Sequence, residues 1–206
     1  MADSAIFDDN SSAVLCMEMQ RGVVGDLAAI SGLADCVRET GLIARCADLF
    51  RAARDAGLPV IHLTAGFRAD RAGSYRNVPL VNRLLEIPDY LPAGGDAAAV
   101  VPALREPTDF ELPRLHGMSP FTDTGLDSLL RSLNIRTVIV TGVSVNLGVF
   151  GTAIEAVNRG YHVVIVRDGV GGYPQAYCEQ VFEHSLGKIS TLCRSQELTA
   201  RWSCAV

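Results

Sequence analysis

The chain has 206 residues, of which 49% are hydrophobic, and this is enough apolar material for the core of one large domain. Its formal net charge is −5 and its basic residues form no dense cluster, so it lacks the charge pattern of a nucleic-acid-binding protein. The longest apolar runs have the length of strands, whereas a membrane-spanning helix needs about 20 residues. We therefore expect one soluble domain over residues 1–206, with a small-molecule ligand and neither a nucleic-acid nor a membrane partner.

The amino terminus and the cysteines indicate where the protein works. The first ten residues, MADSAIFDDN, are acidic and lack the basic and apolar segments of a secretory signal. The six cysteines are scattered, and no two of them form a Cys-X-X-Cys pair. This pattern is typical of reduced, buried thiols rather than of a disulfide framework. These features predict a cytoplasmic protein, in which residues 1–11 form a flexible segment.

Apolar spacing predicts the elements of the first half of the chain. Residues 13–19 are a short apolar run that predicts a strand, and spacings of three and four predict one helix over residues 35–56. Residues 60–64 predict the second strand. The polar stretch over residues 65–108, here called the insert, is long for a compact domain. We interpret it as a lid over the ligand site, in which Phe67, Arg68, Arg71, Tyr75 and Arg76 stand out, or as an oligomer contact.

The second half continues the alternation of strands and helices. Its clearest element is residues 136–141, a β-branched run that is typical of a buried parallel strand. The other predicted elements are strands at 109–113, 161–166 and 189–193, helices at 126–133, 149–159 and 175–186, and a short C-terminal helix. This pattern predicts an α/β fold with three layers, α/β/α, around a mainly parallel six-stranded sheet.

Three strand ends carry unusual residues, and ligands of such sheets bind beyond the carboxyl ends of the strands. Glu18 is the only acid in the run 13–19, which is the profile of a general acid or base, or else of a charge that faces solvent. Arg114 follows the third strand, and it too is either a functional group of the site or an exposed charge at the end of a strand. The fourth strand runs into a turn that begins at Gly142 and ends at Gly148.

Three blocks of sequence resemble one known family. AVLCMEMQ at 13–20, SPFTDTGL at 119–126 and TGVSVNLGV at 141–149 are similar, in order and spacing, to stretches of the isochorismatase-like, or cysteine hydrolase, proteins. The resemblance covers about residues 12–200 and implies the Rossmann-like fold of that family. In its amidase members an Asp, a Lys and a Cys form the catalytic triad. By position, Glu18 stands at the Asp site, Gly148 at the Cys site, and Arg114, or Leu115 by strict spacing, at the Lys site.

The resemblance therefore implies a member that lacks the triad of the amidases. The thioester route needs a thiolate, which glycine does not supply, and Lys188 is the only lysine of the chain. Cys16 is expected to face the core and not the site. What remains is the turn after the fourth strand, where the resemblance implies a cis peptide at Val143-Ser144 and an oxyanion-type site.

The family includes isochorismatases that also have glycine at the cysteine site and that hydrolyse a vinyl ether. For this chain the resemblance implies a cofactor-independent hydrolase in which Glu18 supplies a proton and Arg114 binds a substrate carboxylate. The alternatives are a non-catalytic relative that keeps the pocket for binding or assembly, and cysteine chemistry through another thiol. No metal is expected, because the histidines lack ligand spacing. A homo-oligomer, either a dimer or a tetramer, is also implied.

Several further residues are expected around the same pocket. His116 stands two residues from Arg114, and its alternative is a hydrogen-bonded structural histidine. The complete set of expected substrate-binding residues is Gln20, His116, Ser119, Phe121, Val143, Ser144, Asn146 and Phe150.

Overall fold

Six parallel strands form the centre of the computed structural model, which describes residues 9–115 and 118–204. In chain order they are β1 (Ser12–Met17), β2 (Val60–Ala65), β3 (Phe110–Arg114), β4 (Thr137–Gly142), β5 (His162–Val170) and β6 (Thr191–Cys193). They lie in the order β3-β2-β1-β4-β5-β6, and each neighbouring pair is parallel. The strand order reverses between β1 and β4, which is where sheets of this kind bind ligands.

Helices cover both faces of the sheet. They are α1 (Ser31–Thr40), α2 (Leu42–Asp55), α3 (Pro79–Leu85), α4 (Leu126–Ser132), α5 (Phe150–Asn158), α6 (Gln175–His184) and α7 (Ser195–Ser203). One core contains residues of α2 and α7, and the other contains residues of α4, α5 and α6. The predicted three-layer α/β/α fold is therefore confirmed.

The central strand β1 is buried on both faces. Val14 and Cys16 belong to the core under α2, while Leu15 and Met17 belong to the core under α5. Side chains of a strand alternate between the faces of its sheet, so a strand covered on both sides has to be apolar throughout. This explains why residues 13–17 form an uninterrupted apolar run, and it confirms that Cys16 faces the core.

Gly41 divides the helix that the sequence predicts as one element over residues 35–56. Its φ is 64°, a left-handed conformation that glycine adopts without the penalty of a Cβ, and its N–H caps α1 by donating to Arg38. The chain then re-enters a helix as α2. The prediction was wrong at this point because the apolar spacing continues across the glycine.

Two segments next to the sheet also differ from prediction. The run predicted as a strand over residues 13–19 ends at Met17, because Glu18 has a φ of 52° and leaves the strand conformation. Asp9–Ser11 form a 3₁₀ turn instead of the end of a flexible segment, and the Ser11 carbonyl accepts a hydrogen bond from the Arg136 N–H at 2.8 Å. Residues 1–8, the rest of that predicted segment, lie outside the described residues.

Hydrogen bonds of Gln20, which follows the central strand β1, hold the insert in place. The side chain of Gln20 donates to the carbonyl oxygens of Ala65 and Ala98 at 2.8 and 2.7 Å, and its Oε1 accepts the Ala65 N–H at 2.8 Å. The insert contains α3 and two 3₁₀ turns, Asp96–Ala98 and Pro102–Leu104. It is therefore an ordered layer over the carboxyl end of the sheet.

Candidate active site

A cavity lies at the carboxyl ends of β1 to β4, between the sheet and the insert. Glu18 after β1, Arg114 at the end of β3, and Ser144 and Gly148 after β4 all contribute to its wall. About 90 Å³ is open to the centres of water molecules, which is room for one small molecule. The cavity thus brings together three of the strand ends that carry unusual residues.

Glu18 and Arg114 form an ion pair in this wall. Arg114 Nη2 donates to Glu18 Oε1, and Arg114 Nη1 lies 3.4 Å from the carbonyl oxygen of Thr64. The side chain of Arg114 is 5% exposed and that of Glu18 is 22% exposed, so the pair is largely removed from water. A desolvated pair of this kind interacts more strongly than a surface pair, but it also costs the hydration of two charges.

The burial of Arg114 is unusual for its place in the sheet. β3 is an edge strand, and Phe110, Glu111 and Pro113 in it are exposed, whereas the arginine is its one buried residue. Burial of a charged side chain is costly unless the charge has partners, so the position of Arg114 depends on the groups that it contacts. Arg114 lines the cavity and Leu115 does not, and which of the two stands at the site of the family's lysine stays a prediction.

Neighbouring atoms pack closely around Gly148 in the turn after β4. This turn begins with a cis peptide bond between Val143 and Ser144, as the resemblance implies, and continues as a π-helical turn over Val145–Val149. A Cβ added at Gly148 would lie 2.9 Å from the carbonyl oxygen of Val143 and 3.0 Å from Cε of Met17. These distances leave no room for a cysteine side chain unless neighbouring atoms move.

The insert supplies most of the remaining wall. Ten of the 17 residues that line the cavity lie between positions 65 and 108, and most of these ten are apolar or aromatic. Tyr90 is one of them. Its burial, and secondarily the negative charge of Glu18, raise the pKa of Tyr90 to about 12, so it stays protonated at neutral pH. Apart from the ion pair, the cavity is a mainly apolar site.

Residues 12–197 match the family model of the isochorismatase domain. The chain belongs to the isochorismatase family. It is 31% identical over 180 residues to a ureidoacrylate amidohydrolase RutB of Methylorubrum extorquens, in a match that covers 79% of this chain and 70% of the relative. It is also 26% identical over 133 residues to the maleamate amidohydrolase of Pseudomonas putida, covering 63% of this chain and 59% of that protein.

Solved structures of isochorismatase-family proteins have the same fold. An isochorismatase family protein from Burkholderia thailandensis superposes with a TM-score of 0.77 at 26% identity, covering 94% of this chain and 96% of that one. N-carbamoylsarcosine amidase from Thermoplasma acidophilum superposes with a TM-score of 0.68 at 26% identity, covering 90% and 96%.

Not all of the expected site residues meet in the cavity of this isochorismatase-family chain. Glu18, Arg114, Ser144 and Gly148 line it, and so do Phe67 and Tyr75 of the insert. Six expected residues lie elsewhere, namely Gln20, Ser119, Phe121, Val143, Asn146 and Phe150. His116 lies outside the described residues.

The residues that are absent from the wall have structural contacts that explain their positions. Gln20 is fully buried, and its amide is occupied by the insert. Ser119 Oγ accepts the N–H groups of Phe121 and Thr122. The ring of Phe121 stacks on Tyr161, with the centroids 6.1 Å apart, and Arg159 lies over it.

The remaining absent residues belong to the turn after β4. Val143 is fully buried and presents its carbonyl oxygen, not its side chain, towards Gly148. Phe150 packs against the core under α5. Asn146 is half-buried in the π-helical turn, outside the cavity wall. These residues are therefore not in the lining of the cavity, and their role in substrate binding stays a prediction.

The thiols of the chain do not favour cysteine chemistry. Burial raises the pKa values of Cys16, Cys36, Cys46, Cys178 and Cys193, to about 12 for Cys46 and Cys193 and about 11 for Cys178. A reactive cysteine needs the opposite shift, and none of the cavity-lining residues is a cysteine. Cys204, the remaining thiol, is exposed near the C-terminal end of α7.

Within residues 9–115 and 118–204 no three His, Cys, Asp or Glu side chains come together in a way that could hold a metal ion. No helix in the same part of the chain is long and apolar enough to cross a membrane. The cytoplasmic location and the homo-oligomer stay predictions.

Proposed function

We propose that this isochorismatase-family protein is a hydrolase that acts on a small carboxylate-bearing metabolite by acid/base chemistry, without a cysteine nucleophile. The observation that carries the proposal is the Glu18–Arg114 ion pair, which shares one cavity with Ser144 and Gly148. The pair places a proton-transferring group and a carboxylate-binding group side by side. The two amidohydrolase relatives support hydrolysis as the class of reaction, although their amide substrates are not assigned to this chain.

Binding of the substrate would change the surroundings of Glu18. In the free protein Arg114 Nη2 donates to Glu18 Oε1. A substrate carboxylate that binds to the Arg114 guanidinium would compete for this cation and bring a second negative charge close to Glu18. In the proposed mechanism Glu18 is then the general acid.

The proton would then be used at the substrate. In the hydrolysis of a vinyl ether, Glu18 would transfer its proton to the terminal carbon, forming a C–H bond and an oxocarbenium ion. Water would attack the carbon of that ion and lose a proton to the Glu18 carboxylate. The resulting hemiketal would break its C–O bond as the proton of its hydroxyl passes to the leaving oxygen, which gives an alcohol and a carbonyl product. General acid catalysis of this kind contributes about 10²- to 10⁴-fold to a rate.

A second candidate function is ligand binding without catalysis. It is favoured by the packing around Gly148, where Val143 and Met17 fill the space that a nucleophile would need. It is also consistent with the ion pair, in which each charged group already has a partner. In this alternative the protein binds the same small carboxylate and releases it unchanged.

An assay of the purified protein separates the two candidates. Isochorismate, a set of primary amides and a set of ureido compounds are incubated with the native protein, with a heat-treated sample and with a sample alkylated by iodoacetamide. We expect a product above the heat-treated control, formed at the same rate after alkylation. Loss of the product on alkylation would refute the thiol-independent route, and no product from any compound would favour the non-catalytic alternative.

A further inference from the structure

The cavity wall contains a hydroxyl group that the mechanism above does not use. Ser74 of the insert lines the cavity, and its Oγ is buried without a hydrogen-bond partner among residues 9–115 and 118–204. Only two other buried side-chain atoms in this part of the chain lack a partner, Arg114 Nε and His62 Nδ1. Arg114 belongs to the same wall. Because native proteins rarely leave buried polar atoms unpaired, two such atoms beside one cavity point to a polar group of the ligand.

The backbone holds Ser74 close to the end of β3. The neighbouring Gly73 has a φ of 86°, and a Cβ built on it would lie 3.3 Å from the carbonyl oxygen of Leu115, the residue after Arg114. The Ser74 N–H donates to the carbonyl oxygen of Arg71 at 3.1 Å, which closes the turn that carries Ser74. The turn thus fixes the backbone of Ser74, and no partner among residues 9–115 and 118–204 holds its hydroxyl.

The apolar residues of the cavity wall disfavour a ligand that is polar throughout. Phe67, Leu84, Leu91 and Val23 line the cavity, and Tyr90 adds an aromatic ring whose burial keeps it protonated. An amide or ureido group placed against Phe67, Leu84 and Leu91 would lose its hydration without gaining partners there. A hydrocarbon body would instead gain free energy by leaving water.

We propose that the ligand of this cavity is a small monocarboxylic acid with an apolar body, and that Ser74 binds its carboxylate together with Arg114. This inference rests on the proposed function, because it concerns the same cavity and the same arginine. It adds Ser74 of the insert as a residue that determines specificity. It also assigns an apolar character to the part of the substrate that does not react. A carboxylate suits both donors, because its two oxygens accept hydrogen bonds from a guanidinium and from a hydroxyl at once.

Calorimetric titration tests the inference without requiring turnover. The probes are phenylacetate and hexanoate, their neutral counterparts phenylacetamide and hexanamide, and maleamate as a polar monocarboxylate. We expect at least one of the two apolar acids to bind about tenfold or more tightly than its amide and than maleamate. Equal affinity for acid and amide, tighter binding of maleamate, or no binding of either apolar acid would overturn the inference.

Two variants locate the effect. Ser74→Ala should weaken binding of the apolar acid about tenfold, the loss expected for one hydrogen bond to a charged group. It should leave the melting temperature of the free protein unchanged or higher, because the hydroxyl has no partner there. Ser128→Ala, on the exposed side of α4, should change neither quantity. Unchanged affinity in Ser74→Ala, or a melting temperature lowered in proportion, would overturn the role of Ser74.

The test distinguishes failure of this inference from failure of the proposed function. If the apolar acids bind as expected and no compound in the hydrolysis assay is turned over, the proposed function fails and the ligand class stands. If polar amides or ureido compounds are hydrolysed and the apolar acids do not bind, hydrolysis stands and the ligand class fails.

Discussion

At the scale of one residue, the packing around Gly148 opposes any side chain at this position. In this structure Val143 and Met17 occupy the region that a side chain at position 148 would enter. The helix N-terminus that follows would still favour a thiolate in principle, since its N–H groups carry partial positive charge. Steric exclusion, not electrostatics, therefore argues against a simple return to the cysteine chemistry of the family.

Gly148→Cys should accordingly destabilise the protein. The new Cβ would meet a backbone oxygen at 2.9 Å, and overpacking of a buried site costs about 1–3 kcal/mol. We expect this loss in urea unfolding, with no gain of thiol-dependent amide hydrolysis. Gly151→Cys is the matched control, because a Cβ at that position in α5 meets no atom within 4 Å. Equal stability of the two variants would contradict the steric interpretation.

The Glu18–Arg114 pair permits a second test on single residues. Arg114→Met would leave the Glu18 carboxylate in the cavity without its cation, which we expect to lower the free energy of unfolding by roughly 2–4 kcal/mol. The double variant Glu18→Gln/Arg114→Met should recover part of this loss, giving a coupling energy of about 1–3 kcal/mol in a double-mutant cycle.

The exposed Arg68–Asp70 pair provides the comparison for that cycle. Its side chains are 52% and 56% exposed, and exposed pairs contribute about 0–1 kcal/mol. A coupling energy at Glu18–Arg114 that is no larger than that of Arg68–Asp70 would show that the pair in the cavity is no stronger than a surface contact.

Strand β2, helix α2 and the residue before β3 meet at the buried side chain of His62, outside the set of residues that line the cavity. His62 of β2 contacts Asp109 through Nε2 at 3.0 Å, and Arg54 of α2 binds the same carboxylate at 2.9 and 2.8 Å. Burial lowers the pKa of His62, although Asp109 acts to raise it. Burial acts to raise the pKa of Asp109, but Arg54, the Glu106 N–H and His62 outweigh this effect and lower it.

The shift at His62 makes stability depend on pH. Because the pKa of His62 in the folded state lies below its unfolded value of about 6.5, the unfolded chain takes up the proton first as the pH falls. The stabilisation is therefore complete above about pH 6.5 and declines below it. The contribution of Asp109, whose folded pKa is also lowered, is present above about pH 3.9 and is lost only below that value.

We expect the free energy of unfolding to fall by roughly 1–2 kcal/mol between pH 7 and pH 5, as measured in urea. His62→Gln should remove most of this dependence while lowering stability at both pH values. His184→Gln is the control, because the side chain of His184 is 68% exposed. An unchanged pH dependence in His62→Gln would show that another group is responsible.

Strands and helices could be predicted from the sequence where their buried apolar residues follow one another in a regular pattern. β1 and β4 are apolar because both of their faces are covered, and turn residues mark their ends. The break between α1 and α2 was not predictable, since the apolar spacing is the same on both sides of Gly41 and only the backbone conformation changes. The π-helical form of Val145–Val149 was not predictable either, because Gly142 and Gly148 mark a turn in the sequence but not its hydrogen-bond pattern.

The candidate site was predictable only in its polar half. Glu18 stands out as the only acid of its apolar run and Arg114 as the charge that follows the third strand, and the resemblance added the turn with Gly148. The apolar half comes from the insert, where residues such as Leu84 and Tyr90 carry no periodic pattern and are brought to the cavity by the tertiary fold. Ser74 was missed as well, since an isolated serine in a polar stretch gives no signal until its burial is known.

At the scale of the whole molecule, the chain has the fold of the isochorismatase family, and we propose that the chemistry at its centre differs from that of the cysteine-dependent members. The cavity lies where the strand order of the parallel sheet reverses, which is where such sheets bind ligands. The cis peptide bond between Val143 and Ser144 lies in the turn beside it. The cavity contains a carboxylate and a guanidinium, and none of the residues that line it is a cysteine. The central claim is therefore that Glu18 performs the proton transfer of a thiol-independent hydrolysis.

The turnover number of Glu18→Gln, on whichever compound the native protein hydrolyses, tests this claim most directly. Glutamine keeps the size of the side chain and removes the group that titrates, so we predict a kcat at least about 100-fold below that of the native protein. Glu155→Gln, which breaks an ion pair with Arg159 on α5, controls for the loss of a carboxylate outside the cavity and should leave kcat unchanged. A kcat of Glu18→Gln equal to that of the native protein would contradict the claim.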